Sequence, residues 1–197
     1  MKPLPLVYPY ALIFWLVYCL VFFQEIKVLR GHKPKPGESQ RQDRGSFQLI
    51  VWGIWVGVTI AFIGAVTVPS TSIRGRQVLC FWVGLLFMAA GAMLRRHCFR
   101  MLGNHFRPAV TVVPSQPVIE LGAYKWIRHP SYLAGILLFF GIGLALANWI
   151  SVAVLFLVPV AAYGYRIHVE EQALLETLGA PYREYMNRTK RLIPFLF

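Results

Sequence analysis

Long stretches without a formal charge, separated by clusters of arginine and lysine, constrain the fold of this chain more than any other feature. Residues 6–23, 47–68, 77–94 and 131–165 contain no Asp, Glu, Lys or Arg. A bilayer core about 30 Å thick is crossed by about 20 helical residues, and backbone groups in lipid must be satisfied within the segment. The first three stretches therefore predict one transmembrane helix each.

The fourth uncharged stretch, residues 131–165, is too long for one crossing and slightly short for two full crossings. We predict a tight helical hairpin in which Asn148 and Trp149 form the break, since Asn is tolerated at a helix C-terminus and Trp prefers the headgroup level. Pro159 predicts a kink in the returning arm. Gly141-Ile142-Gly143, inside a span, indicates close helix packing.

These stretches predict an all-α fold, a single polytopic membrane domain over residues 1–197 with five transmembrane helices, the last two forming the hairpin. Three spans lie in residues 1–94, a loop in 95–131, the hairpin in 132–165, and a C-terminal helix and tail in 166–197. The first stretch is expected to be a retained span, because no small-residue cleavage site follows it before Gln24.

Basic residues indicate the orientation of the spans. With five crossings, 17 of the 20 Lys and Arg residues fall on one side of the membrane. The positive-inside rule then places the N-terminus outside and the C-terminus in the cytoplasm, together with the 95–131 loop. Because 57% of the chain is hydrophobic, the net charge of +12 indicates contact with anionic lipid headgroups and not with nucleic acid.

Several residues that often carry chemistry lack the necessary spacing here. The loop at residues 31–46 is rich in Pro, Gly and charge, which is typical of a solvated linker, and it is assigned no chemistry. The cysteines have no CxxC spacing and the histidines form no i, i+4 metal frame, so we predict neither disulfides nor a metal site. These residues are Cys19, Cys80, Cys98, His97, His105 and His168.

Residues 102–132 combine backbone-shaping Gly and Pro with aromatic and polar side chains, which favours a compact pocket. Pro130 fits the first turn of the helix that follows His129, although a simple helix start with an interfacial Tyr132 explains the same residues. Arg166 and Glu170 are four residues apart, which is also the spacing of an ordinary helix ion pair. The hairpin would return them to the level of His129 and Tyr132.

Neighbouring Glu171 is rotated about 100° from Glu170 on a helix, so we expect it to face solvent.

The motif GAYKWIRHPSYLAG, followed by Asn148, Arg166, Glu170-Glu171, the LGAPYREY segment and Ile193-Pro194, resembles the isoprenylcysteine carboxyl methyltransferase family, related to the membrane phospholipid methyltransferases. The resemblance covers about residues 100–197. It implies a membrane methyltransferase that binds S-adenosylmethionine on the cytosolic side, releases S-adenosylhomocysteine, and receives a lipophilic small molecule or a prenylated substrate from the bilayer.

The resemblance also implies site residues. Arg166 and Glu170 would be catalytic, with Arg166 binding and orienting the substrate and Glu170 also holding the cofactor. The other implied cofactor contacts are Gln116, Pro117, Val118, Ile119, Tyr124, His129, Pro130, Ser131 and Tyr132.

The resemblance favours carboxyl O-methylation. A carboxylate acceptor would already be ionised at neutral pH, so little acid-base catalysis would be needed. Two alternatives stay open: an amine or phospholipid N-methyltransferase, in which His129 or Glu170 would act as base, and a non-catalytic membrane protein that retains the fold.

Overall fold

A computed structural model describes residues 2–31, 43–103, 110, 112 and 116–193. The described residues form six α-helices and short 3₁₀ turns, with no β-strand beyond two isolated bridges. The helices are α1 (Tyr10–Gly31), α2 (Ser46–Thr67), α3 (Gln77–Leu102), α4 (Pro130–Ala145), α5 (Trp149–Leu178) and α6 (Ala180–Arg188). The prediction of an all-α fold is confirmed for these residues.

Three helices, α2, α3 and α5, are long and apolar enough to cross a membrane. The apolar part of α1, Tyr10–Phe23, and α4 are shorter apolar helices. At 1.5 Å per residue, the 16 residues of α4 extend over about 24 Å, whereas the 30 residues of α5 extend over about 45 Å. One arm of the hairpin is therefore much longer than the other.

Glycines allow α4 to pack closely against both neighbouring helices. A Cβ atom on Gly84 of α3 would lie 2.5 Å from the Ala145 amide nitrogen, and one on Gly141 of α4 would lie 2.6 Å from the Gly84 carbonyl oxygen. A Cβ on Gly143 would meet the Ser151 carbonyl oxygen of α5 at 2.8 Å. The prediction that Gly141 and Gly143 mark close packing is confirmed, and each contacts a different helix.

The break between α4 and α5 lies where the sequence predicts it, but Asn148 has a different role. Its side chain accepts hydrogen bonds from the amides of Ile150 and Ser151, so it caps the N-terminus of α5 and does not end α4. Its amide nitrogen donates to the Thr71 hydroxyl at 2.7 Å. This joins the α4–α5 turn to the α2–α3 connection at one end of the bundle, the "turn end" (residues 68–76 and 146–149).

α5 continues as one helix well past residue 165, where the predicted hairpin ends, and so carries Arg166, Glu170 and Glu171 without interruption. It ends at Gly179, which has a positive φ of 63° that an L side chain rarely adopts. Pro181 lies in the first turn of α6. The predicted boundary at Gly179-Ala180-Pro181 is confirmed, whereas the predicted division of the helix near residue 165 is wrong.

We expect Gly84→Ala to destabilise the protein and Gly164→Ala to leave its stability unchanged or slightly higher. The Cβ of the first variant would overlap the backbone of α4, and overpacking of this kind costs about 1–3 kcal/mol. A Cβ on Gly164 of α5 would have no neighbouring atom within 4 Å, so this position tolerates alanine. Thermal unfolding of both variants in detergent compares them, and equal midpoints would contradict the close contact.

Candidate active site

A cavity lies at the opposite end of the bundle, the "site end" (residues 43–46, 95–130 and 166–193 as far as the structure describes them). Helices α2, α3, α4 and α5 and the segment before α4 all contribute to its wall. Among the residues predicted for the site, those that line this cavity are Gln116, Pro117, Val118, Ile119, Tyr124, His129, Ser131, Tyr132, Arg166 and Glu170.

Pro130 is the predicted site residue that does not line the cavity. It is fully buried in the first turn of α4. Proline is favoured there because an N–H at this position would have no acceptor within the helix. Its neighbours Ser131 and Tyr132 do reach the cavity. Pro130 therefore shapes the start of the helix that presents them.

A chain of hydrogen bonds joins Arg166, Tyr132 and Glu170, as the hairpin geometry predicts. Arg166 Nε donates to the Tyr132 hydroxyl at 3.2 Å, and that hydroxyl donates to Glu170 Oε2 at 2.5 Å. The Tyr132 ring also stacks on Tyr163, with centroids 5.1 Å apart. Tyr132, a residue of α4, thus bridges Arg166 and Glu170, which both lie on α5.

Asp43 is a site residue that the sequence analysis missed. Its carboxylate accepts from Arg166 Nη1 and from the Val110 amide, the latter at 2.9 Å. Ser46 also donates its hydroxyl to Asp43 and accepts from Arg166. The segment assigned to a solvated linker thus ends in a buried anchor for Arg166.

The signal for Asp43 was present in the sequence. An Asp shortly before an apolar run is typical of a helix start, and Asp43 Oδ2 accepts from the Phe47 amide in the first turn of α2. Burial alone would raise the pKa of the Asp43 carboxyl, but the Val110 and Phe47 amides and the Arg166 guanidinium outweigh burial and lower it. Asp43 is therefore a carboxylate that balances the Arg166 charge.

Glu171 does not face solvent, so that prediction is wrong. Only 5% of its side chain is exposed. Its Oε1 accepts from Arg128 Nε at 2.9 Å and lies 3.3 Å from His129 Nε2, while Oε2 accepts from Arg191 Nε at 3.0 Å. The 100° rotation from Glu170 is real, but the C-terminal segment covers the direction in which Glu171 points.

That C-terminal segment pairs with the residues before α4. The Arg128 amide donates to the Lys190 carbonyl at 2.7 Å, and the His129 amide donates to the Arg191 carbonyl at 3.0 Å. Arg128 Nη1 also donates to the Thr189 carbonyl. We call this pairing of residues 126–129 with residues 189–191 the "C-terminal clasp".

Arg95 brings a second guanidinium to the cavity wall from α3. It donates from Nε to Glu25 Oε1 at 2.6 Å and from Nη1 to the Ser131 carbonyl at 2.9 Å. The cavity wall therefore includes guanidinium groups from α3, from α5 and, through Arg128, from the segment before α4. The groups on α3 and α5 are each balanced by an acid from an earlier part of the chain, Glu25 and Asp43.

The chemistry of the lining suits a cofactor that is both charged and apolar. The Glu170 side chain is 31% exposed and presents its carboxylate to the cavity. Val118 and Ile119 provide apolar walls. The buried Tyr124 hydroxyl makes no hydrogen bond of ordinary geometry to the described residues. Burial raises the pKa of Tyr124, so the hydroxyl stays protonated. It can therefore donate a hydrogen bond to a ligand oxygen.

The three cysteines, for which the sequence predicts no disulfide, are free thiols. Cys19 is exposed, Cys80 is half-buried and Cys98 is buried. In the described part of the chain, no group of three or more His, Cys, Asp or Glu side chains is arranged to hold a metal ion, and His105 lies outside that part.

Comparison with known proteins connects this geometry to a family. The sequence profile of the isoprenylcysteine carboxyl methyltransferase (ICMT) family matches residues 82–176. The protein-S-isoprenylcysteine O-methyltransferase of Saccharomyces cerevisiae is 32% identical over 120 residues, which cover 60% of this chain and 50% of that protein. The chain thus matches about half the length of this curated relative.

Two further matches extend over more of the chain. YpbQ of Bacillus subtilis, an uncharacterized protein, is 21% identical over 164 residues, which are 83% of this chain and 97% of that protein. A solved structure of a eukaryotic intramembrane Ras methyltransferase, ICMT, shares the fold with a TM-score of 0.61 and 24% identity, covering 74% of this chain and 52% of that chain. The fold is therefore that of an integral membrane protein.

The matched residues include α4, most of α3 and the part of α5 that carries Arg166 and Glu170, so residues 82–176 of the chain, which hold much of the candidate site, are similar to the isoprenylcysteine carboxyl methyltransferase family.

Proposed function

We propose that this protein is an S-adenosylmethionine-dependent membrane methyltransferase that transfers a methyl group to a carboxylate of a lipophilic acceptor. The observation that carries the proposal is the cavity at the site end, whose wall contains all but one of the residues that the family resemblance assigns to the site. The names of the curated relatives, protein-S-isoprenylcysteine O-methyltransferases, support the same chemistry.

Glu170 is the proposed partner of the cofactor ammonium. Its carboxylate faces the cavity and is held in place by the Tyr132 hydroxyl. Tyr124 would donate a hydrogen bond, and Gln116, Pro117, Val118 and Ile119 would contact the remainder of the cofactor. S-adenosylmethionine supplies an electrophilic methyl group on a positively charged sulfur.

The chain contributes orientation and exclusion of water. An ionised carboxylate acceptor needs no base, and removing water from it favours attack, because charge is dispersed in the transition state. Arg166 is the proposed orienting residue for this carboxylate, and Arg95 is a second cation on the wall. Aligning donor and acceptor would supply much of the rate.

The proposed topology has five crossings, with the N-terminus outside and the C-terminus and the site in the cytoplasm. The connections at residues 68–76 and 146–149 contact each other at the turn end, where Ile73 donates to the Ala147 carbonyl at 2.8 Å. Among the described residues, Arg44, Arg95, Arg128 and Arg166 lie at the site end together with the C-terminal clasp. This separation supports the orientation derived from the distribution of positive charge.

An amine acceptor is the second candidate chemistry, and it would require a base. His129 and Glu170 line the cavity and are the candidates among the described residues. We favour the carboxylate acceptor, because an ionised carboxylate would need no base.

We expect the detergent-solubilised protein to bind S-adenosylhomocysteine and Glu170→Ala to weaken that binding. Loss of a charged hydrogen bond corresponds to roughly a tenfold to hundredfold rise in Kd. Isothermal titration calorimetry measures the change. Glu176→Ala is the matched control, because Glu176 lies on the same helix and is exposed. An unaltered protein that binds no S-adenosylhomocysteine would contradict the enzyme proposal and favour a non-catalytic role.

We expect methyl label from S-adenosylmethionine to appear in a base-labile ester when the protein is given S-prenylated cysteine with a free carboxyl, or a total membrane lipid extract. A carboxylate product releases labelled methanol in alkali, whereas an N-methylated headgroup retains the label. Extraction into organic solvent followed by alkaline treatment separates the two. Label that resists alkali would instead support the amine acceptor.

A further inference from the structure

Glu171 is buried beside the candidate site but does not line its cavity, although Glu170 does. Its carboxylate receives two guanidinium groups, from Arg128 and Arg191, and lies against the ring of His129. A buried carboxylate is costly unless it is paired, and this one has three cationic or imidazole partners although it lies outside the cavity. Of these three partners, His129 and Arg128 line the cavity.

We propose that Glu171 is a positioning residue of the cofactor site, which acts on the bound cofactor through His129. The proposal rests on the proposed function, since it assigns His129 a ligand in the cavity. Glu171 determines which ring nitrogen of His129 carries the proton, and it ties the C-terminal clasp to that ring.

The protonation pattern of His129 follows from the chemistry of its neighbour. A carboxylate can only accept hydrogen bonds, so His129 Nε2, 3.3 Å from Glu171 Oε1, must carry a proton to bond with it. Nδ1 lies 3.9 Å from Glu170 Oε2, beyond hydrogen-bond distance. In the neutral ring Nδ1 is then a lone-pair acceptor, available to a hydroxyl or amino donor of a cofactor.

The orientation of the ring is fixed as well as its tautomer. His129 is 4% exposed, and its ring stacks on Tyr132 with centroids 5.5 Å apart and planes 19° apart. Tyr132 is itself held by Arg166 and Glu170. Tyr132 constrains the face of the ring and Glu171 constrains Nε2, which leaves Nδ1 as the ring nitrogen available to a ligand.

The C-terminal clasp completes this constraint from outside the cavity. Arg191 contacts Glu171 Oε2 through both Nε and Nη2 at 3.0 Å, and its carbonyl accepts from the His129 amide. Glu171 and the His129 backbone are thus both bonded to the same residue. Residue 191, which lies beyond the segment matched by the family profile, is therefore part of the support of the site.

The first test measures S-adenosylhomocysteine binding by calorimetry. Glu171→Gln is expected to raise Kd by about tenfold, because a neutral amide offers His129 both a donor and an acceptor and releases the tautomer. Arg191→Gln removes a partner that is partly exposed and should raise Kd roughly two- to fivefold. The controls, Glu176→Gln and Arg183→Gln, change exposed residues and should bind as the unaltered protein does.

The second test needs no ligand. Nitrogen-15 NMR of histidine-labelled protein, with His129 assigned by substitution, should show Nε2 protonated and Nδ1 unprotonated in the neutral ring, and Glu171→Gln should add a population with the opposite tautomer. A merely structural role of Glu171 would lower the thermal midpoint without changing either nitrogen signal. If Glu171→Gln does not fold, the unaltered protein and Arg191→Gln still provide the NMR comparison.

Two results would overturn the proposal: a folded Glu171→Gln that binds S-adenosylhomocysteine as tightly as the unaltered protein, or an unaltered His129 that carries its proton on Nδ1. Failure of the proposed function is distinguishable from both. It appears as absence of binding in the unaltered protein, whereas the ligand-free NMR spectra still report the tautomer of His129.

Discussion

The ion pair between Arg166 and Asp43 is the interaction on which the site end depends. A guanidinium that is 96% removed from water would be very costly without partners, so its environment must provide them. Asp43 supplies the charge, Ser46 an acceptor, and Tyr132 a further acceptor. These partners come from the start of α2 and the start of α4. Val110, which lies between α3 and α4, donates its amide to Asp43. One buried cation thereby brings distant parts of the chain to a single cavity.

Glu170 and Glu171 are adjacent on α5 but have different contacts, because consecutive residues of a helix point about 100° apart. Glu170 points into the cavity and is held by Tyr132, whereas Glu171, rotated about 100° from it, meets the C-terminal clasp. His129 lies between them, 3.9 Å from Glu170 and 3.3 Å from Glu171. Within a single turn of helix, Glu171 contacts the imidazole and is enclosed by cations, while Glu170 stays available to a ligand.

The sequence predicted the parts of this structure that depend on local composition. Uncharged length located α2, α3 and the hairpin, and the spacing of Arg166 and Glu170 predicted their convergence with His129 and Tyr132. The sequence did not predict the features that depend on contacts between residues distant in the chain. Helical geometry gave the direction of Glu171 but could not show that residues 189–191 cover that direction. Asp43 was hidden in a Pro- and Gly-rich segment whose composition is that of a linker, although its last residues cap α2.

The unequal arms of the hairpin bring apolar and polar residues together in the wall of one cavity. α4 begins beside the cavity at Pro130, while α5 continues beyond that level to Leu178 and carries Arg166 near its middle. The cavity wall therefore combines apolar residues from the ends of the apolar helices, such as Phe47 and Ile50 of α2, with the polar segment before α4. On the proposed function, a lipophilic acceptor would approach along the first set and a water-soluble cofactor along the second. Their reacting groups would meet between Arg166 and Glu170, where Tyr132 joins the two sides.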